Sequence, residues 1–227
     1  MLKSFATAAA LLAGLAFTGI ASATQIDFFN PAGADVNFGH QSTFDDLRVR
    51  AFRYRAPFAQ TDNYRERDLF QYNGDGRFAG RPDRYGVGVS VDANQRNVLG
   101  VNEFLAIDFA RYARNNAGFF ENNLLFTIGS LDTNDVVDFF IGQPNHESSI
   151  LFGSLSGDAN GLGFGTFQIA GSEFMRPNGG FSNLYLVGNT GGVVLQSVRD
   201  LPEPSLLAMF AFGLLGLGYV ARKRRNG

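Results

Sequence analysis

The sequence predicts an all-β domain, a β-sandwich of jelly-roll type, set between two hydrophobic ends. Three observations predict it. Turn-forming clusters are dense: Asn73-Gly74-Asp75-Gly76, Arg81-Pro82-Asp83, Asn178-Gly179-Gly180 and Gly188-Asn189-Thr190-Gly191-Gly192. Short runs rich in Val, Ile, Leu and Phe lie between them, as in folds built of many short strands. No window sustains a 3.6-residue apolar period behind a capping box, so no long helix is expected.

The first element is not part of that domain. Met1-Leu2-Lys3 carries one positive charge, Phe5–Ile20 is almost wholly apolar, and Ala21-Ser22-Ala23 offers small side chains in an A-x-A pattern. This is the layout of a secretory signal peptide cut by signal peptidase, with Ala21 and Ala23 as the site residues. An apolar run of about 16 residues is short for a permanent span. The mature chain would begin at Thr24, and the domains divide as 1–23, 24–200 and 201–227.

Candidate strands in the domain are Ile26–Phe29, Tyr85–Val91, Phe104–Phe109, Leu124–Ile128, Val136–Ile141, Ser149–Phe152, Gly163–Ile169, Leu184–Val187 and Val193–Val198. In the third, Leu105, Ile107 and Phe109 share one clean apolar face and should point inward, with Phe104, Ala106 and Asp108 on the other. Leu184–Val187 and Val193–Val198 read as a β-hairpin across a Gly/Asn loop. That would bring Asp200 near the surface, where a tail must leave the fold. Gly161-Leu162-Gly163-Phe164-Gly165 fits a bulged or closely packed strand.

Composition sets limits on chemistry. The formal net charge is −2, but Thr24–Asp200 holds 14 Arg against 20 Asp and Glu, a net of −6. An acidic body argues against nucleic acid as a partner. With no cysteine, disulfides, thiolate catalysis and Cys-ligated zinc are excluded. The core must hold the fold, and 20 of the 24 Phe fall in Phe28–Phe181, enough large side chains to build one.

Arg48–Arg84 stands apart. It holds nine of the 14 domain arginines, with Tyr54, Tyr64, Tyr72 and Tyr85 nearby and Asp62, Glu66, Asp68, Asp75 and Asp83 interspersed. One reading is a surface for an acidic polysaccharide, with Arg supplying charge and Tyr stacking area. The other is a solvated region whose arginines pair with those acids.

Catalytic and metal motifs are sparse. His40 and His146 have Asp45, Asp46 and Glu147 near them, but no spacing joins them into a metal site. Gly153-Ser154-Leu155-Ser156-Gly157 does not place Ser as a nucleophile elbow does. The Gly161–Gly165 run is not a dinucleotide fingerprint. No catalytic or metal-ligating residue is therefore assigned, and no cofactor is expected. Asn73-Gly74-Asp75-Gly76, Asp132-Thr133-Asn134-Asp135 and Asp158-Ala159-Asn160-Gly161 would suit Ca²⁺ as an oxygen-ligated ion, although Asp and Asn are equally ordinary turn residues. Paired carboxylates for glycoside hydrolysis are defined in space rather than by spacing.

The last element is the tail. Ser205–Ala221 is an uncharged apolar segment of 17 residues, about 25 Å as a helix and near the lower limit for a membrane span. Arg222, Lys223, Arg224 and Arg225 follow at once, and the positive-inside rule keeps them cytoplasmic. The domain would then lie outside the inner membrane. Pro202 and Pro204 hold the preceding Leu201–Pro204 extended and open to a protease.

Pro202-Glu203-Pro204, one apolar segment and a terminal Arg/Lys cluster, in that order over Leu201–Arg225, resemble the PEP-CTERM sorting signal of Gram-negative bacteria. Leu201 stands where Val is common in that family. The resemblance implies recognition by exosortase, a membrane-embedded cysteine protease-transpeptidase. It further implies cutting at or near the motif, then transfer to the cell surface or release. Such proteins are usually associated with exopolysaccharide, biofilm or floc. The domain also resembles the Gly- and Asn-rich β-sandwiches attached to such tails, in Gly86-Val87-Gly88-Val89 followed by Glu103-Phe104-Leu105, a likeness that carries no site residues.

The expected protein is thus a non-catalytic cell-surface or matrix protein. It is exported by the secretion machinery, anchored briefly in the inner membrane, then sorted by exosortase. A carbohydrate-binding module or adhesin is the second reading and a secreted hydrolase the third.

Overall fold

The computed structural model describes residues 24–55, 64–73, 82–90, 99–116, 118–144, 146, 149–157, 163–177, 180–190 and 192–201. The predicted leader 1–23 and the tail 202–227, with Ala21, Ala23, Pro202, Glu203, Pro204 and Arg222–Arg225, lie outside the described residues. Strand accounts for 61% and helix for 9%, so the all-β class predicted from the turn clusters holds. Among the described residues, thirteen strands join into one near-closed sheet. They are β1 (Gln25–Asp27), β2 (Val36–Asn37), β3 (Gln41–Phe44), β4 (Leu47–Tyr54), β5 (Tyr64–Tyr72), β6 (Gly86–Ser90), β7 (Glu103–Asp108), β8 (Asn123–Leu131), β9 (Val136–Ile141), β10 (Ile150–Ser156), β11 (Gly163–Ala170), β12 (Leu184–Thr190) and β13 (Val194–Leu201). A short helix, α1 (Ala110–Asn115), follows β7, and 3₁₀ turns span Pro82–Arg84 and Gly171–Phe174. Among the described residues, no helix is long and apolar enough to cross a membrane.

The hydrogen-bonded order is β10-β9-β12-β7-β4-β5-β6-β13-β8-β11, with β1 on β13, β2 on β5 and β3 on β4. Strand β5 joins the two halves. Its first residues, Tyr64–Arg67, pair with β4, and its later ones, Asp68–Tyr72, pair with β6. The sequence-based reading did not anticipate β2 to β5. The β3–β4 hairpin turns through Asp45-Asp46, both at positive φ (40° and 72°), the pattern of a two-residue primed turn usually filled by Asn-Gly. The Asp46 carboxylate accepts hydrogen bonds from Arg111 Nε at 2.6 Å and Asn115 Nδ2 at 2.5 Å, both on α1. Contacts from a distant helix hold a conformation that Asp visits rarely.

The main core lies inside the sheet. Leu47, Val49 and Ala51 of β4 point into it, with Leu105 and Ile107 of β7, Phe126 and Ile128 of β8, and Val137 and Phe139 of β9. Phe109 follows β7 and continues the inward face, as the alternation predicted. Aromatic rings connect the two halves. Phe109 sits 4.9 Å from Phe174 and 6.3 Å from Phe126; Phe126 lies 6.0 Å from Phe139, which stacks on Phe167 at 4.0 Å. Each such pair adds about 0.5–1.5 kcal/mol beyond its burial, and in a chain without cysteine this network does the tying. Strand β11 carries the bulge expected from its glycines, between Gly163 and Phe164. A Cβ on Gly165 would come within 2.7 Å of Leu131 and 2.8 Å of Leu155.

Two expectations need correction. Strands β12 and β13 are not a hairpin: β12 pairs with β7 and β9, while β13 pairs with β1, β6 and β8. The connection between them crosses from one half of the sheet to the other. Within β12, Gly188 lies close against the Leu99 and Gly100 carbonyls, where a Cβ would clash. Asp200 is not at the surface either. It is 7% exposed, because β13 continues through Leu201, which pairs with Asn123. The compact unit is Thr24–Leu201, so the ladder takes in the first residue of the Leu201–Pro204 motif.

The beginning and end of the unit are neighbours. Gln25 pairs with Arg199, and the Asp200 amide donates to the Thr24 carbonyl at 2.8 Å. The Asp200 carboxylate interacts with Asn122 and Tyr112, and Tyr112 with Thr24. Burial raises the Asp200 carboxyl above its ordinary value. Burial, then the nearby Asp200 charge, pushes the Tyr112 phenol up to about 12.

Candidate ligand-binding site

The alternation that points Leu47, Val49 and Ala51 inward sends Arg48, Arg50, Phe52 and Tyr54 outward. An outward face should be polar. Here it carries a second apolar cluster: Phe52, Tyr54, Phe104, Ala106 and Val187 are buried, and Tyr64, Phe140 and Tyr185 pack half-buried around them. Cross-strand register builds it, with Phe52 opposite Phe104, Tyr54 opposite Tyr64, and Tyr185 opposite both Ala106 and Phe140.

Phe104 is the centre. Its ring stacks on Phe52 at 4.9 Å and 15°, and lies 4.9 Å from Tyr54, 5.4 Å from Tyr64 and 5.9 Å from Tyr185. The Tyr54 hydroxyl donates to the Pro144 carbonyl at 3.5 Å. Above the cluster a cavity of 220 Å³ opens, lined by Arg50, Phe52, Tyr64, Glu66, Phe104 and Tyr185. We call it the cup. It is smaller than the roughly 300–1,000 Å³ of sites that enclose a drug-sized molecule, so it suits a single ring.

Two charges stand over the aromatic floor. The Arg50 guanidinium carbon is 5.4 Å from the Phe52 ring centroid, within cation–π range. Its Nε is buried with no hydrogen-bond acceptor among the described residues. Glu66 is exposed at the rim. Neither takes part in any ion pair among the described residues. The arrangement can stack a flat apolar face, accept hydrogen bonds from hydroxyls and donate them from a fixed fork.

The structure divides the Arg48–Arg84 stretch between the two readings of it. Arg48 pairs with Asp108 at 2.5 Å, and Arg84 reaches Ser130 Oγ at 2.5 Å and Asp132 at 3.1 Å. Those arginines are solvated or structural. Arg53 lies opposite Glu103 in the ladder. Glu103 is only 3% exposed and accepts from the Gly100 amide at 2.9 Å. Burial raises its carboxyl, partly offset by that hydrogen bond and by the charges of Arg53 and Arg67. Arg50 alone of these reaches the cup. Arg77 and Arg81 lie outside the described residues.

The other sequence candidates go elsewhere. His40 is 4.0 Å from Asp68 at an exposed position, and His146 lies in the connection after β9. Among the described residues, no group of three or more His, Asp or Glu is placed to hold a metal ion. Of the loops weighed for Ca²⁺, Asp132–Asp135 closes on itself, with the Asp132 amide donating to Asp135 Oδ2 at 3.1 Å and the Asp135 amide to the Asp132 carbonyl at 2.8 Å. Asn73 is buried and pins residues 30–35, receiving the Asn30 amide at 2.6 Å and donating to the Ala34 carbonyl at 2.6 Å. Gly74–Gly76 and Asp158–Gly161 lie outside the described residues. A second cavity, of 460 Å³, is lined by Ile141, Ile150, Glu173, Met175 and Arg176 among others, with no aromatic ring among its described lining residues. Arg176 there is committed to Ser182 at 3.1 Å.

Sequence reasoning missed Phe52, Phe104 and Tyr185 as site residues. The available signal was that Phe104 and Ala106 are apolar on the face opposite Leu105, Ile107 and Phe109, so β7 is apolar on both faces. No family model, curated protein or solved structure matches the chain.

Proposed function

We propose that this chain is an exported, non-catalytic cell-surface or extracellular matrix protein whose Thr24–Leu201 unit binds carbohydrate in the cup. The observation that carries the binding reading is the outward aromatic cluster, with half-exposed Tyr64 and Tyr185 beside Arg50 and Glu66, which form no ion pair among the described residues. A sugar ring presents an apolar face of C–H groups and an edge of hydroxyls. Aromatic walls take the face, and charged side chains take the edge. The near-closed sheet is read as a jelly-roll-like β-sandwich, with the cup on the outer surface of one layer.

Export rests on the leader with its Ala21 and Ala23 site. Sorting rests on Pro202-Glu203-Pro204, the apolar 205–221 segment and Arg222–Arg225, which resemble an exosortase substrate. The adjacency of Thr24 to Asp200 supports a unit whose leader and tail are both expendable. In that reading the protein passes through the inner membrane to the surface, with exopolysaccharide as the material it meets. Binding is favoured over hydrolysis because Glu66 is the one carboxylate among the described cup residues, whereas glycosidases use two.

A glycan array probed with the full chain, in a detergent without a sugar headgroup, tests the binding reading. It predicts saccharide signals that Tyr64→Ala with Tyr185→Ala abolishes. A blank array, or signals that the double variant retains, would refute it.

A further inference from the structure

We infer that the cup selects a sugar carrying a carboxylate, a uronate, and that Arg50 is the residue that holds that carboxylate. The inference rests on the carbohydrate reading above and names the chemistry of the ligand.

A guanidinium over a ring is half-satisfied. The Phe52 face attracts its charge but accepts none of its N–H groups in line. The Nε, closed off from solvent, has no acceptor among the described residues, and a desolvated donor left alone is unfavourable. A carboxylate supplies the in-line acceptor that the ring does not, because its two oxygens match the pair of terminal guanidinium N–H groups. A neutral hydroxyl meets only one donor. The neighbouring positions leave the fork free for a ligand. Arg50 lies opposite Gln41 of β3 and Ala106 of β7, neither of which carries a charge. Arg48, two residues away on the same face of β4, is already bound to Asp108.

Glu66 lies opposite Phe52 in the ladder, so it stands beside the aromatic floor on the strand next to that of Arg50. A pyranose stacked on Tyr64 or Tyr185 then has its carboxylate toward Arg50 and its hydroxyls toward Glu66. The separation of a single anionic group from several donors is what a uronate offers. A densely sulfated sugar would bring anions against Glu66 as well as Arg50. The net charge of −6 on the domain gives no long-range attraction for a polyanion, so selection is made by contact in the cup.

The test is calorimetric titration of the full chain, in the same detergent, with trigalacturonate and with galactotriose, which has the same rings without the charge. The expected result is trigalacturonate binding at least about tenfold tighter, the effect of one charge-assisted pair. Arg50→Lys keeps the charge and loses the fork, and should weaken trigalacturonate far more than galactotriose, removing most of that preference. Glu66→Gln keeps hydrogen bonding and removes a negative charge, and should tighten trigalacturonate about two- to fivefold. Unaltered thermal midpoints in both variants show that the fold is retained. Equal affinity for the two sugars, with dependence on Tyr64 and Tyr185, overturns this inference and leaves the carbohydrate reading standing. Uronate preference that survives in Arg50→Lys overturns the role of Arg50. Tighter binding of a sulfated galactan than of trigalacturonate overturns the carboxylate. Absence of binding to every sugar overturns both readings.

Discussion

Replacing Phe104 with alanine tests whether the outer aromatic cluster is a true second core. Phe104 is 1% exposed although it faces away from the main core. Its ring contacts those of Phe52, Tyr54, Tyr64 and Tyr185 at 4.9–5.9 Å. Removing a ring so enclosed costs about 3–5 kcal/mol in lost transfer energy and residual cavity. For a unit of this size each kcal/mol lowers the thermal midpoint by roughly 2–4 °C, so a fall of about 6–20 °C is expected. The Phe52–Phe104 stack should also couple. The loss in a Phe52→Ala/Phe104→Ala double variant should differ from the sum of the singles by about 0.5–1.5 kcal/mol. Tyr64→Ala and Tyr185→Ala, at half-exposed positions, should each cost less, about 1 kcal/mol. Urea unfolding of the full chain in detergent, followed by tyrosine fluorescence, reads the free energies, and a thermal melt reads the midpoint. A Phe104→Ala loss below about 1 kcal/mol, or strict additivity with Phe52→Ala, would refute the reasoning. The cluster would then be a coating on the sheet rather than the foundation of the cup.

Three further predictions follow from the rest of the structure. Burial raises the native carboxyl values of Glu103 and Asp200, so the native state holds these protons more tightly than the unfolded chain. Their contribution therefore favours the fold below the unfolded carboxylate range, near pH 4, and is lost as pH rises through the raised native values. The stability advantage of wild type over Glu103→Gln should shrink as pH rises above the ordinary carboxylate range, about pH 4, read as the difference in urea midpoints; an advantage that grows with pH there would contradict it. Gly171→Ala would set a Cβ 1.8 Å from the Phe119 carbonyl oxygen and should cost about 1–3 kcal/mol through forced backbone shifts, so an unchanged midpoint would show that the two segments are not so close. Replacing Pro202, Glu203 and Pro204 with alanine should leave uncut, membrane-retained chain in a host with exosortase, read by fractionation and mass spectrometry of the carboxyl end; unaltered processing would remove the sorting assignment.

How legible the fold was depended on where each strand drew its support. Strand β9 was read at its observed limits, because Val137, Phe139 and Ile141 alternate inward in the sequence itself. Strand β7 was legible for the same reason. Strand β5, with Tyr-Arg-Glu-Arg-Asp before Leu69, has no such signal. It is a strand because β4 and β6 supply hydrogen-bond partners on successive halves, and because Leu69 closes the core. The β3–β4 turn was missed because Asp45-Asp46 depends on α1, more than 60 residues later, to hold its left-handed backbone. The false β12–β13 hairpin arose from a Gly/Asn loop that looks like a turn but crosses between sheet halves.

The site was less legible than the fold. The Arg/Tyr richness of residues 48–84 pointed to the right strands, yet of its described residues only Arg50, Phe52, Tyr64 and Glu66 line the cup. The remaining walls, Phe104 and Tyr185, come from strands far away in sequence and meet the others only through the ladder order β12-β7-β4-β5. Periodicity shows that a face is apolar. It does not show whether the face is a second core, an interface or a cup, because that depends on which strands stand beside it.

The central claim is that the cup is where this protein meets a sugar. The most direct measurement is NMR of the full chain with ring-labelled tyrosine, titrated with the sugar that binds best. The Tyr64 and Tyr185 ring signals should move with a single saturation curve, while that of Tyr85, which packs on Phe29 at 5.8 Å outside the cup, stays still. Saturable binding that leaves both Tyr64 and Tyr185 unmoved would contradict the account.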